Sequence, residues 1–124
     1  MVFSLDTTPI DERRRWPRLR VYSPVKYRFL QEERFQCCIT CDISEGGAGL
    51  LMDSPVPRGT CLYFQIKLHD LPNPASGIAR VVWTAKDTYT EKYRAGLEFL
   101  EISRTSRCEI ADFVLKNIPP AKNN

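Results

Sequence analysis

Six short stretches of alternating apolar and polar residues, Gly- and Pro-rich breaks between them, and one amphipathic stretch near the C-terminus predict an all-β-dominated domain. The expected architecture is a six-stranded antiparallel β-barrel with one C-terminal α-helix. Closure into a barrel removes the exposed sheet edges that six free strands would leave, and a late helix can cover one open end. A chain of 124 residues can bury one hydrophobic core of this kind but not two.

The first strand is expected within residues 21–29, where Val21, Val25, Tyr27 and Phe29 share one face and Tyr22, Lys26 and Arg28 the other. In the second, over 35–44, period-two alternation assigns Phe35, Cys37, Ile39, Cys41 and Ile43 to the core and Gln36, Thr40, Asp42 and Ser44 to an exposed face. Gly46, Gly47 and Gly49 supply a turn into a short strand over 49–52. Beyond the turn at 55–59, Leu62, Phe64, Ile66 and Leu68 alternate with Tyr63, Gln65 and Lys67. Pro72 and Pro74 mark a connection, and the last two strands fall at 78–85 and 91–100, the latter with Tyr93, Ala95, Leu97 and Phe99 inward. Ser106 to Glu109 has capping-box spacing, and Ile110, Phe113, Val114 and Ile118 continue at helical spacing until Pro119-Pro120. The domain organisation is then a tail at 1–12, an arginine-rich loop at 13–20, a barrel at 21–102, a helix at 106–118 and a tail at 119–124.

Composition narrows the function classes. With 43% hydrophobic and 27% charged residues, and no apolar run near the roughly 18 that a helical span requires, membrane insertion is not expected. The N-terminus lacks the pattern of a secretory signal, so a cytoplasmic location is expected. Cys37, Cys38, Cys41, Cys61 and Cys108 form an odd set without paired C-x-x-C spacing; together with His69, the only histidine, they match no zinc motif, and they read as reduced, packed thiols. No metal and no cofactor is expected.

Charge is local. The net charge is only +3, yet Arg13, Arg14, Arg15, Arg18 and Arg20 crowd one segment. Pro17 restricts Trp16 to extended geometry, so this segment is expected to be an arginine-displaying loop and not a helix. One cluster on a nearly balanced domain suits a small anion better than duplex DNA. Taken alone, the cluster reads as a solvated loop, and Asp42-Ser44-Gly47 as a turn whose side chains bond nearby backbone. Their conjunction points to binding.

Arg14 to Arg18 and Asp42 to Gly47 resemble the RxxxR and [D/N]xSxxG motifs of the PilZ family, in order and at the family's spacing. The resemblance covers about Glu12 to Leu100 and implies a Greek-key barrel that binds cyclic di-GMP. By resemblance Arg14 and Arg18 are the motif arginines, and Asp42, Ser44 and Gly47 the second motif. Arg13, just before RxxxR, is associated in relatives with a mutually intercalated pair of ligands. Arg15 reads as a helper. Trp83 is read first as a core residue and second as a purine-stacking group, while Arg94 and Gly96 could flank the site. The chemistry agrees: each guanine presents O6 and N7 acceptors and the ligand two phosphates, and an arginine fork suits both where lysine supplies only charge. Asp42 can accept from guanine N–H groups and Ser44 can bond phosphate or base, with Gly47 allowing close approach.

Catalysis is not expected. Ser44 and Asp42 sit two apart on one strand without a nucleophile-elbow sequence, and the acidic pairs Glu32-Glu33 and Asp11-Glu12 fall in expected loops. The alternatives are a single-strand nucleic-acid binder, hinted at by Tyr22, Arg28, Tyr63 and Lys67, and an interaction module that has lost its ligand. The leading expectation is a receptor whose arginine loop closes over the ligand and signals to an unidentified downstream protein.

Overall fold

The computed structural model of the chain describes residues 16–118. In chain order these form β1 (Arg18–Arg20), β2 (Pro24–Phe29), β3 (Gln36–Ser44), β4 (Gly47–Met52), β5 (Cys61–Ile66), β6 (Ala75–Lys86), β7 (Tyr93–Ile102) and α1 (Arg104–Asn117). Six of the strands close into an antiparallel barrel in the cyclic order β2-β3-β4-β7-β6-β5, the β3–β4 pairing making the closure. The short β1 lies beside β2 on the same edge of β3, with Arg18 opposite Ser44 and Arg20 opposite Asp42. The end of the expected arginine loop is therefore paired strand.

Thr40 bridges the break between β1 and β2. Its hydroxyl donates to the Val21 carbonyl at 2.5 Å and accepts from the Ser23 N–H at 2.8 Å. A fully buried polar side chain is thus satisfied twice, by two backbone groups that the interrupted strand would otherwise leave open.

The expected faces of β3 hold only in its second half. Between Thr40 and Asp42 the strand carries a bulge: Thr40 pairs with Leu50 and Asp42 with Gly49, leaving Cys41 as the extra residue. One extra residue reverses the alternation. Phe35, Cys37 and Ile39, expected in the core, are exposed, while Thr40, expected outside, is buried. The reading of the cysteines as packed thiols is corrected as well: only Cys41 is buried, while Cys37 and Cys108 are exposed and Cys38 and Cys61 are intermediate.

β5 alternates as expected, with Leu62, Phe64 and Ile66 at 0% exposure. Phe64 stacks on Phe99 at 4.8 Å between ring centroids, joining β5 to β7 across the interior. The helix begins earlier than its capping-box spacing suggests. Its N-cap is Ser103, whose hydroxyl accepts from the Ser106 N–H at 3.0 Å; Ser106 is buried and accepts from the Ser76 N–H at 3.3 Å. Ile110, Phe113 and Val114 form the buried side of α1, which packs against β1, β3 and β6.

Candidate ligand-binding site

Strand register assembles the site. Because partners in neighbouring antiparallel strands face the same side, the pairings Arg20–Asp42, Asp42–Gly49, Gly49–Gly96 and Gly96–Trp83 make one outward row across β1, β3, β4, β7 and β6. The next row runs Arg18, Ser44, Gly47, Glu98 and Arg80. The two motif segments, two dozen positions apart in the chain, are thus paired backbones. Gly47, Gly49 and Gly96 leave the middle of these rows without side chains, and a cavity of about 380 Å³ opens there, lined by Trp16, Arg18, Asp42, Ser44, Trp83 and Glu98 among others. This volume falls within the range of ordinary small-ligand sites.

The two indoles sit against glycine. A Cβ on Gly46 would overlap the Trp16 ring, and a Cβ on Gly96 would overlap Trp83. Trp83 reaches this position because β6 carries a bulge: Val81 pairs with Leu97 and Trp83 with Gly96, so Val82 is the extra residue. Val81 is fully buried and Trp83 is 44% exposed, which corrects the core reading of Trp83. Gly47, expected to allow close approach to a ligand, also has a task within the fold. A Cβ there would collide with the Leu97 carbonyl of β7, so the residue is small for the sake of the barrel.

The polar groups of the second motif hold the turn. Ser44 is buried, not exposed as expected; its hydroxyl donates to the Gly47 carbonyl at 3.3 Å and accepts from the Gly46 N–H at 3.3 Å. Asp42 is half-buried and accepts from the Gly49 N–H at 3.2 Å, leaving further lone pairs towards the cavity. Glu98 is paired with Arg80 at 2.8 Å. Glu45 lies 3.9 Å from Arg107, tying the turn to α1.

Of the expected site residues, Arg18, Asp42, Ser44, Gly47, Trp83 and Gly96 converge on this cavity. Arg94 lies outside it, 3.5 Å from Asp87, whose carboxyl is held below the usual range by the Thr90 hydroxyl first and the Arg94 charge among lesser causes. Arg13, Arg14 and Arg15 fall outside the described residues. Trp16 and Glu98 were not singled out from sequence. An aromatic inside the arginine motif was the available signal for Trp16; Glu98 gave none, since it is one of several outward charges on β7.

The family model described as "PilZ domain" matches residues 12–116. The chain belongs to the PilZ family. Among solved structures the PilZ domain here is similar to the Bacillus subtilis inhibitor of motility MotI/DgrA, with TM-score 0.73 and 20% identity over 84% of this chain and 50% of that one. It is also similar to the PilZ domain of Escherichia coli YcgR with c-di-GMP, with TM-score 0.63 and 16% identity over 85% and 91% of the two chains. The K. pneumonia MrkH–c-di-GMP complex matches with TM-score 0.68 and 16% identity over 84% and 52%. The chain therefore spans about half the length of MotI and of MrkH, and nearly the whole YcgR PilZ domain. No curated protein matches in sequence. No helix among the described residues is long and apolar enough to cross a membrane.

Proposed function

We propose that this PilZ domain is a cyclic di-GMP receptor and that the ligand occupies the cavity between Trp16 and Trp83. The observation that carries the reading is the register that pairs Arg18 with Ser44 and Arg20 with Asp42, so that both motifs edge one glycine-floored cavity. Family membership and the c-di-GMP named with the YcgR and MrkH structures support the choice of ligand.

The roles follow from chemistry. Arg18 and Arg14 supply planar forks for phosphate and for guanine O6 and N7. Asp42 accepts from guanine N–H groups. Ser44 acts chiefly by holding the turn, since its hydroxyl is already shared between Gly46 and Gly47. Trp83, exposed over the backbone of Gly96, is a flat platform for a purine. Arg13 favours a stacked pair of ligands over a single one, and Arg15 assists from the same segment. Binding orders the N-terminal arginine segment into a surface that a downstream protein reads.

The test is calorimetry on the intact chain with cyclic di-GMP, cyclic di-AMP, GTP and a short oligonucleotide. Cyclic di-GMP alone should bind well, at a stoichiometry of two if the pair forms. A folded sample that gives no heat with cyclic di-GMP overturns the reading.

A further inference from the structure

On the side of the barrel away from the cavity, β2 and β5 pair with Lys26 opposite Gln65 and Arg28 opposite Tyr63. Two features meet there. The first is a groove of about 290 Å³ with an apolar lining of Pro24, Leu71, Pro72 and Pro74 and with Lys26 and Lys67 on its rim. The second is an arginine held in place: the Arg28 guanidinium lies 5.1 Å from the Tyr63 ring centroid and 5.9 Å from that of Phe35, and its Nη1 donates to the Glu32 carbonyl at 3.3 Å. Ile39, opposite Pro24 and 37% exposed, extends the apolar surface onto β3.

Among the described residues none of Lys26, Arg28 and Lys67 is in an ion pair, whereas Arg80 on β6 and Arg94 on β7 are. The nearby loop carboxylate of Asp70 lies 3.3 Å from His69. We propose that this groove and the adjoining Arg28 form a docking site for an acidic protein segment that places an apolar side chain between carboxylates. An apolar anchor fits the proline-lined groove, and carboxylates match the cations on its rim. Arg28 is already stacked, so little side-chain freedom is lost when it takes a carboxylate.

Single-stranded nucleic acid suits the face less well. Base stacking needs an open ring, but Arg28 lies over both aromatics, Phe35 and Tyr63 meet edge to face at 6.1 Å, and the Tyr63 hydroxyl accepts from Gln65. The docking site uses none of the cavity residues and stands whether or not the domain binds cyclic di-GMP.

The test is amide-shift mapping on the ligand-free, ¹⁵N-labelled full chain, with three probes: a short synthetic peptide of glutamates around a central leucine, its lysine counterpart, and oligothymidylate. The glutamate peptide should shift amides at 25–28, 63–71 and 73, and the lysine peptide should not. Replacing both Lys26→Glu and Lys67→Glu should weaken the glutamate peptide by about tenfold or more. Both lysines are exposed, and an otherwise unchanged spectrum shows that the fold survives. Should the double variant lose the fold, Lys67→Gln serves, with a smaller loss expected. Replacing the central leucine by serine should weaken binding as well. Shifts that are absent or fall elsewhere overturn the proposal, as does oligothymidylate displacing the peptide from the same residues.

Discussion

The cavity over β4 and β7 and the groove over β2 and β5 lie on opposite sides of one barrel and differ in how their polar groups are spent. In the cavity, Asp42, Ser44 and Glu98 are all bonded within the protein, to Gly49, to Gly46 and Gly47, and to Arg80. Its shape is set by indoles seated on glycines. On the groove side Lys26, Arg28 and Lys67 are in no ion pair among the described residues, and the surface is open. A shaped cavity can select one small molecule; a charged open face suits a larger partner of complementary sign.

That contrast can be broken most forcefully at its glycines. Gly47→Ala forces a Cβ against the Leu97 carbonyl, where neither backbone can easily yield, and should destabilise the fold by about 1–3 kcal/mol, read as a lowered denaturation midpoint. Gly96→Ala meets only the Trp83 indole, a side chain that can swing aside. Its cost should appear in cyclic di-GMP affinity and indole fluorescence while stability changes little; equal loss of stability in the two variants would erase the distinction. Arg18→Ala should weaken cyclic di-GMP about ten- to a hundredfold by removing charge-assisted contacts worth about 1.5–3 kcal/mol, with the melting curve unchanged. Trp83→Ala should cost about tenfold, the lower part of the stacking range.

The fold was legible from alternation because most strands are half-buried and keep strict period two, β5 most clearly. Where the reading failed, a bulge had intervened. At Cys41 it turns Cys37 and Ile39 outward, and at Val82 it brings Trp83 to the surface; a single inserted residue leaves no mark in composition or periodicity long enough to read. The cavity was legible only as two motifs. That Arg18 and Ser44 are direct strand partners depends on β1 following β2 along β3 past the Thr40 bridge, a tertiary arrangement. Ser106 followed by Glu109 looked like a cap because the real cap, Ser103, lies three positions earlier and bonds to Ser106 itself.

Smaller effects sharpen the same map. Burial pushes the Cys38 thiol up to about 12, so at neutral pH an alkylating reagent should modify exposed Cys37 and spare Cys38; mass spectrometry of the digested protein reads the difference, and preferential labelling of Cys38 would contradict the reversed alternation of β3. Smallest of all, Lys67→Glu should leave cyclic di-GMP affinity unchanged, because Lys67 lies on the groove side.

The central claim is that cyclic di-GMP sits between the two indoles, and the indole N–H resonances of Trp16 and Trp83 report on it directly. On adding cyclic di-GMP to the ¹⁵N-labelled chain, both indole signals and the amides of Asp42, Ser44 and Gly46 to Gly49 should shift, while those of Lys26, Arg28 and Lys67 stay in place. Unmoved indoles, or shifts confined to the β2–β5 face, would contradict it.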